Sequence, residues 1–458
     1  MTKARYIQLA NTFEAAIARG DMKPGAKLPT HRAFADHFGV ALATATRTYK
    51  ELERRGVIIG EAGRGTFVRD QGAPLGHDWH HSAADGSIDM VFNMPSDTED
   101  TQTLRAGLKR LASAGDLSAM LRYHPHGGRD HERKIIAKDL APRLGAIQPE
   151  NLLITSGGQH GLALVGLGLL SHGDAVATDA LTYPGFKSVA ALQGLDLVPI
   201  SGKAGVMDPE ILHAECKKGR IKAVYLMPTV HNPLGSVMDI ETRRRIARIA
   251  QDHDLLIIED AAYAFLDVNP PASFLTLAPS HTVHIGGFSK ALATGLRLGY
   301  LIAPERYIRA LTEAIRATTW NAPALISDLV IHWIEDGTLA QFEDRRRHDG
   351  HRRQKLCKDI LGHLPLVSHP NASFVWIPLP QGMRSTPIVS QLKARGVAVS
   401  DASPFSVGSF APQALRLAFG GISTEELHSA LITVRATLEA TIPVPADIPL
   451  DRPDKTPR

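Results

Sequence analysis

The stretch GGFSKALATGLRLGY, residues 286–300, closes an apolar run, HTVHIGGF (281–288), and then places a lysine, Lys290, and an arginine, Arg297, in a segment too rich in glycine for an ordinary surface helix. The run reads as a buried strand whose end delivers both cations to one place. Three further runs end in a comparable way. NLLIT (151–155) leads into SGGQHGLALVGLGLL, a glycine turn opening a helix; KAVYLMP (222–228) leads into TVHNPLG; DLLIIED (254–260) ends in Asp260 and continues as AAYAF. Short apolar strands alternating with helical stretches predict an α/β body, and in such sheets ligands sit outside the carboxyl ends of the strands. An anion cradle, an amide, a carboxylate, a tyrosine and a lysine would then converge on one site.

Each of these groups has a partner chemistry. Glycines ahead of a helix N-terminus bind phosphate through backbone N–H groups and the helix dipole. A buried aspartate at a strand end can hold the proton of a pyridinium. A lysine made nucleophilic by burial can condense with an aldehyde. Phosphate, pyridinium and aldehyde on one small molecule describe pyridoxal 5′-phosphate.

At 458 residues the chain exceeds one typical core, and two or three domains are expected. With 44% hydrophobic and 21% charged residues it falls in the globular class and outside the disordered and fibrous ones. No apolar run reaches the ~18 residues of a bilayer span. The N-terminal MTKARYIQLANTFEAAIARGD is charged throughout and lacks the apolar core of a signal peptide, so a cytoplasmic protein is expected. Cys216 and Cys357 stand far apart, with no CxxC, which excludes a disulfide framework and a zinc ribbon. His77, His80 and His81 lie in a stretch without ligand spacing, and no metal is expected.

Charge is uneven along the chain. Residues 1–70 carry twelve Lys and Arg against seven acidic residues, a net +5, which leaves −1 for the rest. A basic head on a near-neutral body suits a polyanionic partner. In this head Thr30 can cap a helix, HRAFADHF, with Phe34 and Phe38 on one face; Gly39 breaks the chain; and ALATATRTYKELERRG forms a second helix with Ala45, Tyr49 and Leu52 on an apolar stripe and Ala43, Arg47, Lys50 and Arg54 on a basic one, until Gly56 stops it. VIIGEAGRGTFVR follows as two short β-type runs about a glycine turn. This is a helix-turn-helix with a wing. The expected organisation is a winged helix-turn-helix at 1–70, a linker at 71–88, a large α/β domain at 89–345, a small C-terminal α+β domain at 346–440 and a Pro-rich tail at 441–458.

PGAKLPTHRAFADHFGV, ELERRG and GRGTFV together resemble the winged-helix head of the GntR family of bacterial regulators. The resemblance implies that Arg32, Thr44, Thr46, Arg47 and the wing residues Gly63, Arg64, Gly65 and Thr66 approach DNA. That family commonly has Ser-Arg after GV, and this chain has Ala41-Leu42.

Residues 90–440 resemble a fold-type I aminotransferase of the aspartate aminotransferase superfamily, on SKxxxxGxRxGY, EDAAY, HNPLG, LTYPGF, LRYHPHGG and ALRLAFG. The resemblance implies that Lys290 forms the Schiff base, Arg297, Gly158, Gln159 and Ser289 line the phosphate, Asp260 pairs with the pyridine nitrogen, and Tyr263 and Asn232 bond the phenolic oxygen. Tyr183 would stack on the ring, Tyr123 would reach across a homodimer to the partner's phosphate, and Arg416 would grip a substrate α-carboxylate. Two positions depart from the family pattern: Gly287 stands where a hydroxyl residue is common, and Asn93, in FNMPSD, where a glycine often lets the substrate approach.

A winged helix fused to such a body is the arrangement of the MocR subfamily of GntR regulators. It implies a regulator whose body senses pyridoxal phosphate, an amino acid or amine, or both, and resets a dimer on DNA. The alternative is a working aminotransferase with a vestigial head.

Overall fold

The computed structural model describes residues 5–19, 21–22, 26–55, 57–61, 65–68, 86–95, 100–114, 117–202, 205–408 and 411–441. Gly56, Gly63 and Arg64, the linker up to residue 85 with its three histidines, and residues 442–458 lie outside them.

The head comprises α1 (Arg5–Ala18), α2 (His31–Phe38), α3 (Leu42–Arg54) and a hairpin of β1 (Ile58–Glu61) and β2 (Gly65–Val68), paired antiparallel with Ile58 opposite Val68. The Thr30 side chain accepts from Ala33 N at 3.2 Å, capping α2, and Gly39 ends it in the left-handed region that glycine adopts without strain. Phe34, Ala45, Tyr49 and Leu52 are fully buried together, so the apolar stripe packs as its spacing requires. Tyr49 satisfies its hydroxyl by donating to Pro29 O at 2.6 Å.

The body continues with β3 (Ile88–Asp89), α4 (Asp100–Ala114), α5 (Leu117–Met120), α6 (Asp130–Leu144), β4 (Leu152–Thr155), α7 (Gly158–Leu169), β5 (Ala175–Asp179), α8 (Pro184–Gln193), β6 (Asp196–Ile200), α9 (Pro209–Cys216), β7 (Ile221–Leu226), α10 (Ile240–Asp252), β8 (Leu256–Asp260), α11 (Phe274–Leu277), β9 (Thr282–Gly287), β10 (Gly299–Ile302), α12 (Glu305–Thr318) and α13 (Ala324–Glu335). Then come α14 (Thr338–Leu361), β11 (Phe374–Pro378), α15 (Ser385–Ala394), β12 (Val397–Ala398), β13 (Ser400–Asp401), β14 (Ala414–Ala418) and α16 (Thr424–Thr441).

Seven strands form the central sheet in the order β4-β10-β9-β8-β7-β5-β6. All pairs are parallel except the two that β10 makes, so the carboxyl ends of β4, β7, β8 and β9 share one edge. These strands are apolar along their length because helices cover both faces, and two buried clusters fill the space on either side. A third cluster sits under the antiparallel sheet β11-β14-β13. The short strand β3 pairs in parallel with β12, which ties the residues that follow the linker to the C-terminal part. α14 runs unbroken through residues 345 and 346.

Candidate functional site

At the end of β4 the buried Thr155 donates from Oγ1 to Gly157 O at 3.1 Å and shapes the turn into α7. Gly157 has φ 88°, and a Cβ there would stand 2.9 Å from Arg297 Nη2, so the guanidinium lies against the bare backbone. Arg297 is itself left-handed, at φ 48°, and donates from Nη1 to Ser289 Oγ at 3.3 Å. The opening N–H groups of α7, at Gly158 and Gln159, have no carbonyl one helical turn upstream to bond. These amides, Ser289 and Arg297 form a group of donors that can accept an anion among them. Gly287 is packed close to the first of these amides: a Cβ would meet Leu298 O at 3.3 Å and Gly158 N at 3.5 Å.

β8 delivers Asp260, 4% exposed. It accepts from Tyr225 Oη at 2.8 Å and from Ala262 N at 3.0 Å. Burial pushes the carboxyl above its ordinary range, and the Tyr225 hydrogen bond pulls it back. Tyr225 stands on β7 with its ring stacked on Phe186 at 3.9 Å. Tyr183, half-buried ahead of α8, has its hydroxyl pushed up by burial and by the nearby Asp260 and Tyr263, with Arg297 acting oppositely.

The loop after β7 carries Asn232, whose Oδ1 is buried without a partner. His231 Nε2 next to it stands 3.5 Å from Asp179 Oδ2. Arg243 of α10 holds this loop from behind. Its Nε donates to Met238 O, Nη2 to Pro228 O and Thr229 Oγ1, and Nη1 to Pro271 O and Ala272 O, at 2.8–3.1 Å. All five guanidinium N–H groups are used, which is how so buried a cation is tolerated.

Lys290, half-buried after β9, donates from Nζ to Asn93 O at 2.8 Å and lies 5.7 Å from the Tyr263 ring centroid. Tyr263 Oη accepts from Asn93 Nδ2 at 3.1 Å. Arg416 comes from β14 and is 3% exposed. Its guanidinium lies 5.2 Å from the Phe374 and 5.8 Å from the Phe405 ring centroid, Nη1 donates to Val91 O at 2.7 Å, and Nε is buried without a partner. Burial pushes it down to about 10. Among the described residues no salt bridge neutralises it.

Two buried groups suit a phosphorylated pyridine aldehyde and an amino carboxylate: Arg416 Nε is a buried donor without a partner, as a carboxylate requires, and Asp260 is a buried carboxylate, already accepting from Tyr225 and Ala262, whose charge a protonated ring nitrogen would balance. Asn232 Oδ1 and Gln159 Oε1 are buried acceptors without a donor, which a phosphate or phenolic oxygen does not supply. Gln159 Nε2 is already spent on Gly185 O at 2.8 Å.

Thus Gly158, Gln159, Tyr183, Asn232, Asp260, Tyr263, Ser289, Lys290, Arg297 and Arg416 stand about the carboxyl ends of the strands and the β14 face beside them. Tyr123 does not join them: it is 86% exposed, with its ring 5.5 Å from that of Trp320. In the head Arg32 and Arg47 are exposed, Thr44, Thr46 and Thr66 half-buried and Gly65 exposed. Thr46 Oγ1 lies 3.4 Å from His31 Nδ1. Sequence reading passed over Tyr225 and Arg243. The available signal was a hydroxyl or a guanidinium inside an otherwise apolar buried pattern, which obliges a partner. Among the described residues no group of three or more His, Cys, Asp or Glu converges as a metal site, and no helix is long and apolar enough to cross a membrane.

Comparison with known proteins accords with this geometry. Residues 87–434 match the family described as aminotransferase class I and II, and residues 5–68 the bacterial regulatory proteins of the gntR family. The uncharacterized HTH-type transcriptional regulator YdeF of Bacillus subtilis is 31% identical over 95% of both chains. The HTH-type transcriptional regulator TauR of Rhodobacter capsulatus is 29% identical over 85% of this chain and 87% of its own. The crystal structure of a Pyrococcus horikoshii kynurenine aminotransferase superposes with a TM-score of 0.74 at 23% identity, over 79% of this chain and 93% of that one, a likeness of fold.

Proposed function

The chain belongs to the aminotransferase class I and II family and carries a gntR-type head, and from that footing we propose that it is a DNA-binding transcriptional regulator of the MocR type whose body binds pyridoxal phosphate and senses an amino compound. The carrying observation is a buried Arg416 without a salt bridge among the described residues, bonded to Val91 O two positions from the carbonyl that holds Lys290, in a chain whose first domain is a winged helix-turn-helix. Relatives named as regulators match the chain over head and body together, which favours this reading over an aminotransferase with a vestigial head.

Bound at this site, the cofactor supplies an aldehyde that captures amines and a ring that withdraws electrons. The rest is done by the chain. The α7 N-terminus, Ser289 and Arg297 hold the phosphate, and Tyr183 covers a ring face. Asp260 keeps a proton on the ring nitrogen, with Tyr225 supporting its ionised form. Tyr263 and Asn232 orient toward the phenolic oxygen. Lys290 contributes the amine that meets the aldehyde. Arg416 takes an α-carboxylate side-on through its unpartnered Nε edge while Val91 O fixes the other end of the guanidinium.

The head supplies the second half of the activity. Arg32 and Arg47 face solvent for phosphate contacts, Thr44 and Thr46 stand near the start of α3, and Gly63, Arg64, Gly65 and Thr66, which follow β1 in sequence, supply the wing. The protein acts in the cytoplasm as a homodimer, with Tyr123 of each copy turned toward the other. The test is to add pyridoxal 5′-phosphate to purified protein. Wild type should turn yellow and keep its colour through dialysis, Lys290→Ala should lose it, and a wild type that stays colourless sinks the reading.

A further inference from the structure

One short segment touches three of the chemically distinctive side chains in the site. After the linker the chain enters the body at β3, where Ile88 N donates to Gly396 O at 2.8 Å and Met90 N to Ala398 O at 2.9 Å. Met90 O accepts from Ala418 N at 2.7 Å, and the Met90 side chain is fully buried. Beyond this anchor, Val91 O accepts from Arg416, Asn93 O accepts from Lys290, and Asn93 Nδ2 donates to Tyr263 Oη. The same segment is the first described piece of the body after the head.

We propose that Asn93 is a positioning residue that reads the state of the Lys290 amine and passes it to residues 88–93, and so to the chain that leads to the head. The proposal rests on the reading that Lys290 takes an aldehyde. In that step the amine, having shed a proton to water, adds to the aldehyde carbon; a C=N bond forms and the carbonyl oxygen leaves as water. A primary amine arriving later adds to the same carbon, and the Lys290 amine departs and regains a proton. Asn93 O therefore loses its ammonium donor in the first step and recovers it in the second. A charge-assisted hydrogen bond is among the stronger ones in a protein, so the segment loosens when it is lost and tightens when it returns. Asn93 differs from a bare glycine here in that its amide also fastens the segment to Tyr263, which lets a change at one end of the site reach the other.

The test is amide hydrogen exchange across residues 88–94 in the full-length protein. In the absence of any ligand, Lys290→Met should exchange there about tenfold faster than wild type, the order expected for one charge-assisted hydrogen bond. Pyridoxal 5′-phosphate added to wild type should produce the same acceleration, and should add nothing in Lys290→Met. Asn93→Gly keeps the backbone carbonyl that accepts from Lys290 and loses only the amide bond to Tyr263, so it should exchange faster than wild type from the start and still accelerate further when the cofactor is added. If wild type develops its visible band while exchange across 88–94 stays unchanged, the proposal is overturned. If no band develops, the cofactor reading is what fails, and the ligand-free comparison of wild type with Lys290→Met decides the proposal alone: equal rates overturn it.

Discussion

Asp260 is a buried carboxylate whose only described supports are a phenol and a backbone amide. Its pKa is raised by burial, so the folded state binds this proton more tightly than the unfolded chain does. That contribution to stability is complete below the unfolded value near ~3.9 and is lost as pH rises through the folded one. A cation on the ligand ring restores it. The rise in Tm on adding pyridoxal phosphate should therefore grow as pH rises through the folded-state pKa of Asp260, and Asp260→Asn should flatten that pH dependence in a series of thermal scans. Tyr225→Phe removes a hydrogen bond to a charged acceptor and should weaken cofactor affinity roughly tenfold to a hundredfold in a spectral titration. Arg416→Met exchanges an unneutralised buried cation for an apolar side chain of similar length. It should change the stability of the ligand-free protein by less than about 2 kcal/mol while abolishing any thermal or spectral response to amino carboxylates. The residues legible in the sequence were those that end an apolar run with a distinctive group: Lys290, Asp260, Asn232. Tyr225 sits inside such a run and reads as one more strand residue. Asn93 was visible as a departure from pattern, but its contacts are with Tyr263 and Lys290, 170 and 197 positions away, and no local period reports those.

The elements of the head followed directly from capping and periodicity, since Thr30, Gly39 and the Ala45–Tyr49–Leu52 stripe each act within one or two helical turns. α3 presents Leu42, 52% exposed, at the N-terminal end where the family resemblance expects an arginine, and under the proposed function the phosphate contacts fall to Arg32 and Arg47. Arg32→Ala and Arg47→Ala should each weaken DNA binding and reduce the slope of log K against log salt by about one unit, measured by fluorescence anisotropy over a salt series. In the body, strands β4, β7, β8 and β9 were legible from their apolar runs. The pairing of β3 with β12 was not, because two residues on each side carry no period and over three hundred residues separate them. Arg243 was obscured for the opposite reason: within RRR on a charged helix it reads as surface, and only the fold turns it inward to the Asn232 loop.

At the scale of the molecule, the chain leaves apolar side chains in solvent on the two segments that carry Tyr123 and its ring neighbour Trp320: Leu117, Leu121, Trp320 and Leu325 are 49%, 89%, 40% and 44% exposed. Large exposed apolar patches mark interfaces, and a second copy of the chain is the partner that would bring Tyr123 to a phosphate. Sedimentation at micromolar concentration should show a dimer, and Tyr123→Ala should weaken cofactor retention without lowering the mass. The alliance of a DNA-reading head with a ligand-binding body is a claim about coupling, and coupling is measured as a change in affinity. The most direct measurement is the Kd for a duplex from the gene's own upstream region, at fixed salt, without ligand, with pyridoxal phosphate, and with pyridoxal phosphate plus each standard amino acid in turn. The account predicts that at least one ligand state shifts Kd by about fivefold or more, the lower end of allosteric coupling, and that the amino acid part of the shift vanishes in Arg416→Met. A Kd indifferent to every ligand state, with amino acids converted to their keto acids meanwhile, would contradict it and identify the chain as a working aminotransferase.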